Sequence, residues 1–246
     1  LPGGKTINPD LTTNNVLSLR SGGSTAGNAA FGTAIEVDGV RIGGNASFGK
    51  MEGTGTRSIS VDNIESVEVI TGVPSAEYGD LNSGMIRVIT KKGKTPVNVT
   101  FSVNPRTYET SASKGFDLGD RNGVLNVGME WAKATKKLTS PYTSYTRRGF
   151  TLDYSNTFAK RLRLEAGISG NLGGMNSKND PDLFSDEYSK VRDYVLTPHF
   201  KLLWLLNKSW VTNRRLEGSA YYHDKLSKAH EYNSYGSSQP SVHYAE

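Results

Sequence analysis

The fold is decided by residues 60–94, SVDNIESVEVITGVPSAEYGDLNSGMIRVITKKGK. The alternation of apolar and polar residues predicts one strand over residues 67–70 and a second over residues 85–90. Between them, residues 71–84 form a predicted loop, because its glycines permit positive φ or close backbone approach. The basic residues 91–94 end the second strand. The segment therefore predicts two strands joined by a long, glycine-punctuated loop.

Composition changes at the end of this segment. Before residue 95 the chain is rich in glycine, its charges balance, and only Phe31, Phe48 and Tyr78 are aromatic. The net charge of +5 and most aromatic residues lie in residues 95–246. This contrast predicts two domains, a small α+β domain over residues 1–94 and a β-rich domain over residues 95–246.

Several classes of protein are disfavoured by composition. The chain of 246 residues has no cysteine, which excludes disulfides and thiolate metal sites. Its pI is about 9.2, but the basic residues are scattered, a pattern typical of solvated surface rather than of nucleic-acid binding. No apolar run approaches the ~18 residues of a membrane helix. The chain begins at Leu1 without a signal peptide, so we interpret it as an internal piece or a processed product.

Within the first domain the best hairpin candidate is residues 33–42, TAIEVDGVRI. Asp38 and Gly39 separate two alternating arms, which is the strongest short hairpin signal. Residues 43–56 are predicted as a long irregular loop, and such a loop in a compact domain is usually functional or disordered. A brief helix is predicted next, with Glu65 complementing its first turn.

The second domain alternates with period two over long segments. The longest segments reach the ~9–11 residues of a tilted membrane strand. Pro198 lies inside the fifth segment, where a proline is expected at an edge or a bulge. Six strands are predicted, over residues 97–103, 125–131, 150–154, 162–172, 196–206 and 216–222.

Two architectures fit this alternation, a soluble β-sandwich and a transmembrane barrel. Charged residues in mid-strand favour the barrel, whose polar face lines a lumen. The predicted connections alternate between short turns and long polar loops, as in outer-membrane barrels. The mid-strand charges are Glu130, Asp153, Arg163, Glu165 and Lys201. The aromatic residues expected near strand ends or turns are Trp131, Tyr154, Phe158, Trp210, Tyr221 and Tyr222. The short turns are residues 156–161 and 207–213, and the long loops are residues 133–146 and 173–190.

Catalytic and metal motifs are weak. His223 and His230 lie near Asp224 and Glu231, but no HxxxH or HExxH spacing is present, so lumen or loop histidines are the simpler interpretation. There is no GxSxG motif and no P-loop. We therefore predict no enzyme activity, no catalytic residues, no cofactor and no metal site.

The motifs of the first domain resemble a known family. LRSGG, IEVDGVRI and VDNIESVEVITGVPSAEYGDLNSGMIRVITKKGK, in this order and spacing, resemble the plug domain of TonB-dependent outer-membrane receptors, in the form found in Bacteroidetes-type bacteria. The resemblance covers the C-terminal two-thirds of a plug, without its N-terminal part and TonB box. It implies a mixed fold, a small α+β plug followed by antiparallel transmembrane β-barrel strands, about six of an implied 22.

The resemblance also implies a function. Such receptors take up a scarce nutrient (ferric siderophore, cobalamin, glycan or peptide) across the Gram-negative outer membrane, driven by the inner-membrane TonB energy complex. The implied partners are outer-membrane lipid, that complex, the substrate and, in some members, a surface lipoprotein lid; nucleic acid is not expected. The alternatives are a non-transporting surface or adhesion barrel and a soluble β-sandwich binding module.

Site residues follow from the same resemblance. Plug loops at the place of residues 43–56 can face outwards, so Asn45, Phe48 and Lys50 are predicted to contact substrate. Arg20 matches a commonly basic position and is predicted to contact the barrel. Thr71 departs from the family, in which many members have an arginine that helps to hold the plug to barrel carboxylates.

Overall fold

The structure is a computed structural model that describes residues 12, 34–42, 46–47, 50–51, 64–71, 84–119, 121–139, 141–180, 182, 187–230 and 242–245, with residues 46–47, 50–51 and 242–245 described by their backbone alone. Within these ranges no helix is long and apolar enough to cross a membrane.

The first domain contains a four-stranded sheet, here called the inner sheet, in the order β2-β1-β6-β5. β1 and β6 run parallel, and the other neighbours are antiparallel. A separate ladder, β3 with β4, lies within the predicted irregular loop of residues 43–56. The strands are β1 (Ala34–Val37), β2 (Val40–Arg41), β3 (Ala46–Ser47), β4 (Lys50–Met51), β5 (Ile64–Ile70) and β6 (Met85–Thr90).

The predicted hairpin is present. Asp38 and Gly39 have φ of 49° and 86°, the two positive angles of a type I′ turn, and they bring Val37 opposite Val40. The helix prediction is wrong at Glu65, which lies in β5. Pairing with β6 extends this strand over Ile64–Ile70, because a tertiary partner outweighs a local capping signal.

The two faces of the inner sheet differ in chemistry. One face holds an apolar cluster of Ile35, Ile42, Ile86 and Val88, which packs against Tyr221 of the second domain. The other face carries charged residues, described below. The alternation of period two in the sequence thus produces one apolar and one charged face.

The second domain is one antiparallel sheet, here called the wall, in which each strand from β7 to β12 pairs with the next along the chain, and β14 pairs with β15. β13 and β14 both pair with β12, one after the other along its length. The strands are β7 (Thr95–Asn104), β8 (Thr107–Asp117), β9 (Val124–Thr135), β10 (Thr143–Phe158), β11 (Leu162–Lys178), β12 (Tyr188–Leu205), β13 (Asn213–Ser219), β14 (Tyr222–His230) and β15 (Val242–Ala245).

Five of the six predicted strands occur, and the sixth, over residues 216–222, spans the end of β13, a break at residues 220–221 and the start of β14. The rest of β14 and β15 were not predicted, and β8 was missed. Its exposed face contains Tyr108 and Phe116 at its ends with Ala112 between them, so its apolar alternation is too weak to recognise. The strands also run further than predicted, which shortens the connections to residues 136–142 and 179–187.

Pro198 lies in the middle of the wall, not at an edge. It pairs with Ile168 on one side, and on the other its carbonyl accepts a hydrogen bond from the Ala220 amide at 3.0 Å. Because proline has no N–H, the reciprocal bond is missing, and the ladder is interrupted between β13 and β14. Tyr222 is the first residue of β14 and Tyr221 directly precedes it, so both lie at a strand end as predicted, although beside mid-wall residues of β12.

The wall is apolar on the exposed side and polar on the buried side. Phe101 is 72% exposed and Met129 is 66% exposed, whereas Glu130 and Asp153 are only 7% and 5% exposed. A soluble sandwich has the opposite arrangement, with its apolar face buried. The predicted mid-strand charges thus lie on the face turned towards the inner sheet, as in a barrel wall.

Candidate functional site

The contact between inner sheet and wall is centred on Lys92. This residue lies in the link between β6 and β7, and its Nζ is 3.1 Å from Glu165 Oε2 on β11 and 3.6 Å from Asp38 Oδ1 in the hairpin turn. Asp38 is held in turn by Thr90, whose amide and hydroxyl donate hydrogen bonds at 3.1 and 2.5 Å. A single ammonium group therefore ties the turn of the inner sheet to a wall strand.

The electrostatics of Lys92 support a charged contact. Burial disfavours the ammonium form, but the carboxylates of Asp38 and Glu165 outweigh it and raise the pKa of Lys92 above its ordinary value. Its side chain is 24% exposed, and those of Asp38 and Glu165 are 5% and 14% exposed. The charges of these three groups neutralise one another, and a buried charge left without a partner would destabilise the fold.

A charged cleft opens beside this contact. On the inner sheet, Arg87 pairs with Glu36 at 3.0 Å and with Glu68 at 3.4 Å, and the three residues lie in one row across β1, β6 and β5. The cleft between this row and the wall has a volume of about 640 Å³. Its wall side carries Arg163, Glu165, Lys201, Arg215 and Glu217.

A second polar contact lies behind Lys92, within the wall. Asp153, Gly167 and His199 occupy one row across β10, β11 and β12. His199 Nε2 is 3.3 Å from Asp153 Oδ1, and both side chains are buried. Neither Asp153 oxygen receives a hydrogen bond from the described residues. Gly167 is required here, because a Cβ at this position would lie 1.9 Å from Asp153 Oδ1.

Further along the same face, Arg147 on β10 forms ion pairs with two carboxylates. It donates to Glu109 at 2.7 Å and to Glu130, and the side chains of Arg147 and Glu130 are 5% and 3% exposed. Near them Tyr145 and His223 both contact Asp193, at 3.3 and 2.7 Å. The inner face of the wall is thus a continuous set of buried polar and ionised side chains.

A slot separates the apolar face of the inner sheet from the wall. Val37, Val40 and Val88 line its inner side, with Tyr221 at its edge. The facing wall positions carry small residues, including Gly128, Gly149 and Ser169. The slot is mainly apolar, although the paired side chains of Glu130 and Arg147 also line it. The inner sheet therefore meets the wall through one mainly apolar slot and one charged cleft.

The predicted site residues are not tested by this geometry. Arg20, Asn45 and Phe48 lie outside the described residues, and Lys50 is described only by its backbone, in β4. Thr71 is exposed at the end of β5. Sequence reasoning missed Lys92, which was interpreted as a solvated end signal, and Asp38, which was interpreted only as a turn residue. No local pattern reveals that Glu165, far along the chain, completes their contact.

The histidines form no metal site in the part of the chain that the structure describes, where no cluster of three or more His, Asp or Glu side chains has the required geometry. His199 and His223 instead each pair with one carboxylate of the wall. They are lumen-side residues of the sheet.

Comparison with known proteins identifies the first domain. Residues 1–86 match the family model described as TonB-dependent Receptor Plug Domain. Residues 1–86 are thus a TonB-dependent receptor plug domain. The inner sheet is accordingly part of the plug, and the described fold is a plug followed by antiparallel barrel strands. Members of this family are Gram-negative outer-membrane proteins.

Solved structures similar to the chain include mutant forms of the ferric enterobactin receptor from Pseudomonas aeruginosa. One, in complex with enterobactin, is 14% identical with a TM-score of 0.48, and the match covers 80% of this chain and 38% of the receptor. A second mutant complex is 15% identical with a TM-score of 0.48, covering 87% and 37%. A third mutant is 14% identical with a TM-score of 0.46, covering 83% and 39%. The chain thus spans well under half the length of these receptors. None of the curated proteins compared with it matches significantly.

Proposed function

We propose that this chain is part of an active importer that takes up a scarce nutrient across the Gram-negative outer membrane, with residues 1–94 as plug and residues 95–246 as the beginning of the barrel. The observation that carries the proposal is the plug sheet held by Lys92 against a polar wall whose other face is apolar and exposed. A plug seated in a wall of this kind closes a pore until it moves.

The proposed transport step is release of the plug from the wall. Substrate binds on the outer side, and the inner-membrane energy complex pulls on the plug through its N-terminal segment. Ionic contacts such as that of Lys92 with Glu165 then break, while the slot lined by small residues offers little resistance to sliding. The substrate is a ferric siderophore, cobalamin, a glycan or a peptide, and the protein acts as a transporter, not as an enzyme.

We retain Asn45, Phe48 and Lys50 as the proposed substrate contacts and Arg20 as a further contact with the barrel. Phe48→Ala in the receptor is expected to weaken substrate binding, because an aromatic ring in a binding loop contributes a large buried area. Unchanged affinity, measured by isothermal titration with the substrate that supports growth, would remove this loop from the site.

The function is tested by growth. A strain without the receptor is compared with its complemented parent on limiting ferric siderophore, cobalamin, glycan or peptide, and each strain is tested with and without the energy complex. We expect a defect on one nutrient class, and the same defect when only the energy complex is removed. A receptor whose contribution to growth is independent of the energy complex is a surface or adhesion barrel, which contradicts the proposal.

A further inference from the structure

The apolar surface on the outer face of the wall ends abruptly at the end of the wall away from residues 91–94, here called the upper end. On β11 and β12 the outward residues are uncharged from Leu162 to Leu172 and from Tyr194 to Trp204. About ten residues at ~3.3 Å each, tilted by roughly 40°, span about 25 Å, the height of the lipid-facing band of a barrel. Tyr194 and Trp204 thus lie at the two edges of this band, where aromatic residues are expected.

Beyond Tyr194, at the end of the wall away from residues 91–94, the outward positions become basic. Successive outward residues of β12 are Arg192, Lys190 and Tyr188, and β14 presents Lys228 and His230 beside them. We call these five residues the basic shelf. It begins directly at the edge of the apolar band.

Two cations of the basic shelf face each other without compensation. Lys190 lies directly opposite Lys228, and His243 occupies the next register position on β15. Like charges placed opposite each other destabilise a strand pair. Among the described residues neither lysine forms an ion pair with a carboxylate, and the neighbouring Asp224 is engaged by Arg192 at 2.7 Å. The part of the chain that the structure describes thus leaves two adjacent positive charges unmatched.

Aromatic rings hold two cations of the basic shelf, Lys190 and Arg192, at the surface of the wall. Lys190 Nζ is 5.7 Å from the centre of the Tyr188 ring, which stacks on His230 at 5.6 Å. The Arg192 guanidinium is 5.1 Å from the centre of the Tyr194 ring. Such cation–π contacts lower the conformational freedom of long side chains while their donors stay available.

We propose that the basic shelf binds the phosphorylated headgroup of a lipid in the leaflet around this end of the wall. A phosphate between Lys190 and Lys228 accepts hydrogen bonds from both ammonium groups and removes their repulsion. Its acyl chains lie along the adjacent apolar band, which a free phosphate or a soluble acidic protein cannot use. This inference rests on the proposed function in one respect, the placement of the wall in a bilayer.

The test counts lipids on the receptor by native mass spectrometry after reconstitution in phosphatidylcholine nanodiscs containing a small fraction of phosphatidic acid. The double variant Lys190→Gln/Lys228→Gln is compared with Lys160→Gln/Lys208→Gln, which removes the same charge from exposed turns at the opposite end. Each surface lysine contributes roughly fivefold to binding of an anionic lipid, so we expect a loss of about tenfold or more in the first variant only.

Three results would overturn the proposal. The shelf variant retains phosphatidic acid like the parent, or the turn variant loses it equally, or inorganic phosphate displaces the lipid at matched concentration. Failure of the protein to enter nanodiscs would instead contradict the proposed function, so the two failures are distinguishable.

A measurement on the unaltered receptor guards against a variant that fails to assemble. Lysine acetylation with an amine-reactive ester is followed by peptide mass spectrometry with and without phosphatidic acid in the nanodisc. We expect protection of Lys190 and Lys228 and none of Lys160 or Lys208. Equal labelling of Lys190 and Lys228 with both lipids also contradicts the proposal.

Discussion

At the scale of single residues, the plug is held by groups that are costly to leave unpaired. Lys92 neutralises Asp38 and Glu165 at once, and Gly167 makes room for the pair of Asp153 and His199. These contacts connect positions far apart in the chain. Each of them can be removed by one substitution that leaves the backbone pattern unchanged.

Lys92→Met is expected to loosen the plug. The change keeps the length of the side chain but leaves two shielded carboxylates without a partner, which costs about 1–3 kcal/mol. The urea midpoint of plug unfolding is measured with a fluorescent label on Val67→Cys in β5, a half-exposed position in a chain without cysteine.

The matched control is Lys94→Met, since Lys94 pairs with Asp117 at an exposed site that solvent screens. We expect its midpoint to equal that of the parent. The pKa of Lys92 in the folded protein is raised above its ordinary value of 10.5. The stabilisation of the plug by Lys92 is therefore complete below that pH and is lost as pH rises through the pKa of the folded protein. Equal midpoints for both variants, or a parent that weakens between pH 7 and 9 through this residue, would refute the role of Lys92.

Gly167→Ala is expected to destabilise the wall, because its Cβ would meet Asp153 Oδ1 at 1.9 Å and His199 Cε1 at 2.7 Å. Gly149→Ala on the same face is the control, since its Cβ meets Glu130 at an ordinary 3.5 Å. The temperature at which the folded barrel loses its heat-modifiable migration on gels measures the effect. A loss of several degrees is expected for the first variant only, and similar values for both would show that the pair does not depend on Gly167.

At the scale of elements, the sequence predicted most strands but not their full extent. The Asp38-Gly39 turn and strand β6 were predicted correctly because their signals are local. β8 was missed because Thr110 and Lys114 interrupt its apolar alternation, and its register comes from β7 and β9 on either side. The helix expected at Glu65 became part of β5 for the same reason, since partner strands decide where local preferences are weak.

Pro198→Ala is expected to join β13 and β14 into one continuous strand. The new N–H can donate to the Ala220 carbonyl, and a typical net gain for such a bond is about 1 kcal/mol. Hydrogen exchange, read by mass spectrometry on peptides containing Ala220 to Tyr222, is expected to slow. Leu202→Ala on the same strand face adds no donor and serves as control. Slower exchange in Leu202→Ala, or unchanged exchange in Pro198→Ala, contradicts this explanation of the gap between β13 and β14.

At the scale of the whole molecule, the wall places its charges towards the plug and its apolar side chains outwards. The sequence predicted this inversion through mid-strand charges such as Glu130 and Asp153. It could not predict the contact of Lys92 with Glu165, because that contact depends on how the plug is seated in the wall. The candidate site was therefore visible from the sequence only as separate strands and turns.

An outward charge in the apolar band tests this arrangement. Val99 is 68% exposed on β7, and Val99→Arg is expected to cost about 2–4 kcal/mol if lipid covers the site. Leu138→Arg, at a position 61% exposed in the connection between β9 and β10, is the control and is expected to cost little. Urea unfolding from lipid vesicles gives both values, and a tolerated Val99→Arg would argue for water on this face.

The most direct test of the lipid-facing wall is the accessibility of a nitroxide label attached at Ile168→Cys, in the middle of the band, in the receptor reconstituted in lipid vesicles. A label at Lys178→Cys, at the upper end of the same strand, is the reference. We expect the label at residue 168 to collide more with oxygen than with a water-soluble nickel chelate, and the label at residue 178 to show the reverse. Nickel access at residue 168 equal to that at residue 178 would contradict it.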